Sequence, residues 1–114
     1  MKTPEEIKPN YAAVYAAALY PQLCAIFHKH GYALAVHGSL ARDFDVIAVP
    51  WGEKLSSPED ILKEISEQFV FKPISGPEPK RHGRVAYLVT IGFGECNIDL
   101  SFFPDITRNE VNNA

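Results

Sequence analysis

Cysteine is scarce in this chain, because Cys24 and Cys96 are the only two. They lie far apart and form no CxxC spacing, which excludes a dense disulfide scaffold and a cysteine-rich zinc motif, so we expect a reduced, cytoplasmic protein. An excess of charge of one sign is also lacking, since the formal net charge is only -3. No strong non-specific binding to nucleic acid is therefore expected, and any polyanion would need a local basic patch.

Long uninterrupted hydrophobic runs are absent as well. The most apolar stretch, "YAAVYAAALYPQLCAIF", is interrupted by Pro21 and Gln22, and its leader is not basic, so we predict neither a signal peptide nor a membrane contact. No repeat, heptad pattern or low-complexity tract is visible. What is present is 46% hydrophobic and 22% charged residues in a chain of 114, typical of one compact domain. We predict a single domain over residues 1–114, with loose ends at about 1–9 and 105–114.

Two helices are predicted from apolar spacing and end signals. The first covers the apolar stretch, is bent or divided at Pro21, and ends at Gly31 as its C-cap. The second begins in "SSPEDILKEISEQF", where Ser57 is the N-cap and Pro58 the first helical residue. The acidic residues that follow Pro58 favour the positive end of the helix dipole.

Four strands are predicted from short apolar runs, in "YALAVHGS", "DFDVIAVPW", "VAYLVTIGF" and "CNIDLSFF". They are expected to form two hairpins, the second turning around Gly94 and Glu95. The segment "KPISGPEPKRHGR" is rich in proline, glycine and basic residues, so we predict a loop there. The expected architecture is an α+β sandwich of two layers, with a mostly antiparallel or mixed four-stranded sheet and both helices on one face.

Alternation within two of these strands separates acidic from apolar residues. Asp43 and Asp45 fall on the opposite side of their strand from Phe44, and Asp99 falls opposite Leu100. If the helices cover the apolar side, all three carboxylates emerge on the open side. Three adjacent carboxylates repel one another and require protons or a cation, and a hard ion such as Mg²⁺ or Mn²⁺ suits them best.

These residues resemble the nucleotidyltransferase superfamily typified by polymerase β, in its smallest forms. Such proteins have a hydrophobic strand ending in Gly-Ser, matched by Gly38 and Ser39, and a strand opening with Asp-x-Asp, matched by Asp43 and Asp45. A later strand carries a third acidic residue between apolar ones, matched by Asp99. The core of the sequence also resembles that of small phage and prophage proteins.

The resemblance extends over roughly residues 14–103 and implies a role for each matching residue. Asp43 and Asp45 would hold the metal that binds the phosphates of a nucleoside triphosphate. Asp99 would join a second metal and activate the hydroxyl of an acceptor, which the sequence leaves open among RNA, protein and a small molecule. Gly38 and its neighbouring serine would admit the β- and γ-phosphates, and the reaction would be in-line attack at the α-phosphorus with loss of pyrophosphate.

Basic residues near the predicted site could neutralise the negative charge of a triphosphate. Arg42, Arg81 and Arg84, with Lys80, are candidate phosphate contacts, although a merely solvated loop explains "KRHGR" equally well. Trp51 is a candidate for stacking on a base or for plugging the edge of the core. The histidines show no metal-ligand spacing and are expected at the surface or rim.

The connection between the two motifs is short, since only three residues separate Ser39 from Asp43. Members of the superfamily have about ten there. A different interpretation is therefore a catalytically silent member that binds a nucleotide or a protein partner. A structural protein without a ligand is the third possibility. The sequence leaves the oligomeric state open.

Overall fold

The computed structural model describes residues 11–91 and 96–105. In chain order, the elements are α1 (Tyr11–Lys29), β1 (Tyr32–His37), β2 (Phe44–Pro50), α2 (Pro58–Gln68), β3 (Phe71–Pro79), β4 (Val85–Ile91) and β5 (Cys96–Phe102). A short 3-10 turn, Arg81–Gly83, connects β3 to β4. The fold class is α+β, as the sequence predicts.

The sheet has five strands in the order β1-β2-β5-β4-β3. Strands β2 and β5 are parallel neighbours, and the other three pairs are antiparallel. The mixed sheet agrees with the prediction, but the predicted number of four strands is wrong. The two strands that carry the acidic residues lie side by side, although about fifty residues separate them in the sequence.

The additional strand is β3, which occupies the segment predicted as a loop. Three prolines in it, Pro73, Pro77 and Pro79, lack the amide hydrogen that a central strand needs, and β3 is accordingly an edge strand paired only with β4. Every residue of β3 after Phe71 is exposed, so no hydrophobic alternation marks it as a strand. The segment is recognisable as a strand by its pairing with β4.

Both predicted hairpin pairings are present. Strands β1 and β2 pair antiparallel from Tyr32 opposite Pro50 to His37 opposite Asp45, and β4 pairs antiparallel with β5 along its whole length. The second predicted turn, around Gly94 and Glu95, lies outside the described residues. So do the predicted loose ends, except Asp105, which is described and half-buried.

The helix ends follow the sequence signals. Ser57 Oγ accepts a hydrogen bond from the backbone N–H of Asp60, and Pro58 is the first helical residue of α2. Gly31 has a φ of 92°, the left-handed conformation that ends α1. The helix is not divided at Pro21, because α1 continues through it as one helix with Pro21 exposed at its surface, and a bend there stays a prediction.

The hydrophobic core lies between the two helices and one face of the sheet. Its largest fully buried side chains are Phe27, Phe44, Phe102, Leu23, Ile61, Ile65, Leu100, Val46 and Val89. Each such side chain contributes about 1.5–3 kcal/mol through removal from water. Among the described residues, no helix has the length and apolar character needed to cross a bilayer.

Candidate functional site on the open face of the sheet

Asp45 and Asp99 lie directly side by side on the face of the sheet that the helices leave uncovered. They are partners in the parallel register of β2 and β5, whose backbones run about 4.8 Å apart. Their sequence neighbours Val46 and Leu100 point the other way, into the core. Asp43 precedes Asp45 by two residues, just before β2 begins. The shared face therefore agrees with the alternation in the sequence.

The electrostatics of Asp45 reflect this crowding. Burial raises the pKa of its carboxyl above the ordinary value of 3.8, and the negative charges of Asp99 and Asp43 raise it further. His37, the partner of Asp45 on β1, acts in the opposite direction and lowers the pKa of Asp45. The raised pKa shows that ionised Asp45 is poorly compensated by the described residues.

The Gly-Ser turn lies against the Asp45 carboxylate. Gly38 has a φ of 76°, and a Cβ added there would stand 2.5 Å from Asp45 Oδ2. Glycine is thus required for backbone conformation and for close approach. Within the turn, Ser39 Oγ accepts a hydrogen bond of 3.2 Å from the backbone N–H of Ala41. Gly38 and Ser39 therefore lie at the acidic end of β2, next to the carboxylate.

The three candidate arginines divide between the two ends of the sheet. Arg42 is exposed in the turn just before Asp43, at the acidic end. Arg84 lies 5.5 Å from the centre of the Phe103 ring, and its Nε donates to the Arg81 carbonyl. In the antiparallel pairing of β4 with β5, the register partner of Asp99 is Leu88. Arg84 lies four residues before Leu88, which is roughly 13 Å away along the strand. The structure therefore does not bring Arg81 and Arg84 to the carboxylates.

A groove beside Asp99 was missed by sequence reasoning. It has a volume of about 200 Å³ and is lined by Ser75, Glu78, Lys80, Ala86, Tyr87, Leu88 and Asp99. Lys80, a candidate phosphate contact, instead pairs with Glu78 at 3.1 Å. No pattern in the sequence indicates this groove, because its outer wall is β3.

Trp51, the candidate base-stacking residue, lies away from the acidic site, and so do His28 and His30. Trp51 is 61% exposed beyond the other end of β2, where its ring centre is 4.6 Å from that of His28. His30 is half-buried in the helix layer, with Nδ1 2.6 Å from Ser56 Oγ and Nε2 2.8 Å from Glu64 Oε1. His30 therefore connects α1 to α2 and does not face the acidic site.

The chemistry of the donor set fits a hard divalent cation. Asp43, Asp45 and Asp99 offer oxygen ligands, and the raised pKa of Asp45 records a negative charge that a cation would compensate. Across residues 11–91 and 96–105, no three acidic, histidine or cysteine side chains are already gathered as a coordination shell. Rotation of the aspartate side chains on their fixed strands would have to complete one.

Comparison with known proteins adds no family assignment. No protein-family model matches this chain, and no curated protein matches it. The class is therefore defined by the described structure alone. It is an α+β protein whose mixed sheet has helices on one face and adjacent carboxylates on the other.

Proposed function

We propose that this protein is a metal-dependent nucleotidyltransferase that binds a nucleoside triphosphate at Asp43, Asp45 and Asp99. The observation that carries the proposal is the side-by-side placement of Asp45 and Asp99 on parallel strands, with the Gly38 turn against Asp45. A turn without a side chain beside paired carboxylates suits a metal-bound phosphate chain. The resemblance in sequence motifs points to the same reaction.

The residues at the end of β2 would bind and orient the nucleotide. Asp43 and Asp45 would hold Mg²⁺ or Mn²⁺, which when bound supplies charge neutralisation for the phosphates. Gly38 leaves room for phosphate oxygens near the backbone of the turn, and the hydroxyl of Ser39 can exchange its contact with Ala41 for one of them. Arg42, exposed in the same turn, can form a bidentate contact with the phosphates.

Asp99 differs from Asp45 in exposure, which favours a different role. Asp99 is exposed on its strand, whereas Asp45 is half-buried beside the turn. We assign to Asp99 the removal of the proton from the acceptor hydroxyl. The hydroxyl oxygen then bonds to the α-phosphorus, the bond from that phosphorus to the bridging oxygen breaks, and pyrophosphate leaves with the electron pair.

Activity assays with a matched control test this proposal. The protein is incubated with labelled nucleoside triphosphates, Mg²⁺ or Mn²⁺, and RNA, protein and small-molecule acceptors. Asp99→Asn is expected to lower pyrophosphate release by about 10²–10⁴-fold, the usual contribution of a general base. Asp60→Asn, on the exposed first turn of α2, is expected to retain the rate of the parent. Equal rates in Asp99→Asn and the parent would contradict the assignment.

A second candidate is a catalytically silent protein that keeps the site for binding a nucleotide or a protein partner. The observation that favours it is the turn itself, which has three residues between Ser39 and Asp43 and uses the Ser39 hydroxyl internally. Thermal unfolding separates the two functions. Stabilisation by Mg²⁺ and nucleotide that is lost in Asp45→Asn, without any turnover, would favour the binder. Turnover lost in the same variant favours the enzyme.

A further inference from the structure

The groove beside Asp99 owes its shape to irregularities in β3. The pairing of β3 with β4 shifts register on both sides of Ser75, and Gly76 has a φ of 119°. A Cβ at Gly76 would stand 2.7 Å from the Ala86 carbonyl oxygen, so the backbone of β3 lies very close to β4 there. After this close approach, Glu78 and Lys80 form the outer wall of the groove.

The charge of the groove is negative. Lys80 Nζ and Glu78 Oε1 lie 3.1 Å apart, so these two charges largely compensate each other. Asp99 lines the same groove and, among the described residues, has no cationic partner. A ligand with a positive charge is therefore attracted to this groove, and a ligand with a phosphate group is repelled.

A second polar group lies on the same face without a partner. Ser101 is 5% exposed, and its Oγ makes no hydrogen bond within the part of the chain that the structure describes. Ser101 follows Asp99 by two residues on β5 and is the register partner of Ala86, which lines the groove. A buried hydroxyl without a partner costs free energy. Ser101 does not line the groove and its Oγ is closed off from solvent, so a ligand beside Asp99 does not reach it in this conformation.

The size of the groove limits its ligand. Pockets that enclose drug-sized molecules occupy about 300–1,000 Å³. The groove of about 200 Å³ is smaller and fits a ligand of a few heavy atoms, or the reacting end of a slightly larger one. A nucleoside triphosphate is larger than this groove, and the proposed function puts its phosphates at the Gly38 end of the site, which leaves the groove for the second substrate.

We propose that the groove between β3 and β5 binds the acceptor of the transfer, and that this acceptor is a small hydroxylated amine. This inference rests on the proposed function for the reaction, but binding to the groove does not depend on turnover. The ammonium group pairs with Asp99, the groove carboxylate that has no cationic partner among the described residues, and the hydroxyl faces the same carboxylate. On transfer, the hydroxyl proton passes to Asp99, its oxygen bonds to the α-phosphorus, and pyrophosphate leaves.

Methyl NMR on the full chain tests the groove without metal or nucleotide. Ethanolamine is the probe, because it carries one ammonium group and one hydroxyl, and O-phosphoethanolamine is the matched anionic analogue. Titration with millimolar ethanolamine is expected to shift the Ala86 and Leu88 methyl signals saturably, and O-phosphoethanolamine is expected to leave them unchanged. Asp99→Asn is expected to weaken ethanolamine binding at least tenfold, and Asp60→Asn is expected to leave it intact.

Three outcomes of the titrations with ethanolamine and its analogue would overturn the inference. They are the absence of saturable shifts at Ala86 and Leu88, equal binding of the phosphorylated analogue, and unchanged affinity in Asp99→Asn. Shifts of the same methyl groups by a short RNA at lower concentration would also overturn it in favour of a nucleic-acid acceptor. A separate titration with Mg²⁺ and a non-hydrolysable triphosphate, followed at the Gly38 amide, reports on the proposed function alone. The two titrations therefore test the groove and the triphosphate site separately, and one proposal can fail while the other holds.

Discussion

Strands β2 and β5 carry opposite chemistry on their two faces. Toward the helices they present Phe44, Val46 and Leu100, which are at most 1% exposed. Toward the open side the same strands present Asp45 and Asp99 next to each other. The apolar face stabilises the fold, whereas the acidic face works against it because ionised Asp45 is poorly compensated. The alternation of side chains along each strand therefore separates the residues that stabilise the fold from the residues of the candidate site.

Loss of a large side chain from the face covered by the helices is expected to have the greatest effect on stability. Phe44 is fully buried, so Phe44→Ala is expected to lower the free energy of unfolding by about 3–5 kcal/mol. Ile47, which lies three residues further along β2 on the open face, is only half-buried, and Ile47→Ala is expected to cost clearly less. Urea denaturation measures both. Equal costs would show that the two faces are not distinct in their contribution to stability.

A substitution in the turn beside the carboxylates is expected to have the second-largest effect on stability. Gly38→Ala is expected to cost about 1–2 kcal/mol from its left-handed backbone alone, with a further cost from contact with Asp45. Gly83 is a matched control, because its φ is 75° and a Cβ there would meet only Pro104, at 3.2 Å. If Gly83→Ala costs as much in urea denaturation as Gly38→Ala, the carboxylate does not crowd the turn.

Removal of the Asp45 charge from the open face is expected to stabilise the protein in a pH-dependent manner. The native state holds the Asp45 proton more tightly than the unfolded state, so the free energy of unfolding decreases as the pH rises from about 3.8 through the raised native pKa. Above this range, Asp45→Asn is expected to unfold at a temperature a few degrees higher than the parent, and the difference is expected to vanish at lower pH.

Thermal unfolding across pH at low ionic strength measures this effect. Glu53→Gln, at an exposed position outside the helices and strands, controls for the loss of one negative charge from the whole protein. A difference for Asp45→Asn that persists unchanged below pH 3.8 would contradict the electrostatic explanation.

The smallest expected effect concerns two buried hydroxyls that lack partners. Ser101 lies on the open face and Ser66 lies in α2. Each Ser→Ala change is expected to raise the free energy of unfolding by about 1 kcal/mol or less, because a buried unsatisfied hydroxyl is removed. Urea denaturation measures both changes. A loss of stability in either variant would show that its hydroxyl is hydrogen-bonded.

Prediction from sequence succeeded where the signal is local. The shared face of Asp45 and Asp99 follows from alternation in two short strands, each of which has a buried side. The start of α2 follows from the Ser57 cap, which acts within one helical turn. The class α+β was predictable for the same reason, since each element except β3 carries its own apolar pattern.

Prediction failed where the conformation depends on a distant segment. Strand β3 has no buried side after Phe71, and its three prolines are more typical of loops. Its pairing with β4 could not be anticipated from either segment alone. The groove wall at Glu78 and Lys80 was missed with it, and Arg84 was assigned to the site although it contacts Phe103 at the other end of the sheet.

In most of this protein, local patterns in the sequence specify which side chains are buried and which face outward, because period-two and helical patterns are properties of neighbouring residues. The parallel pairing of β2 with β5, which brings Asp99 beside Asp45 from about fifty residues away, arises at the level of tertiary structure. The same is true of the groove, since β3 acquires its shape from pairing with β4. Strand order depends on how the whole sheet packs under its helices, and no local pattern records it.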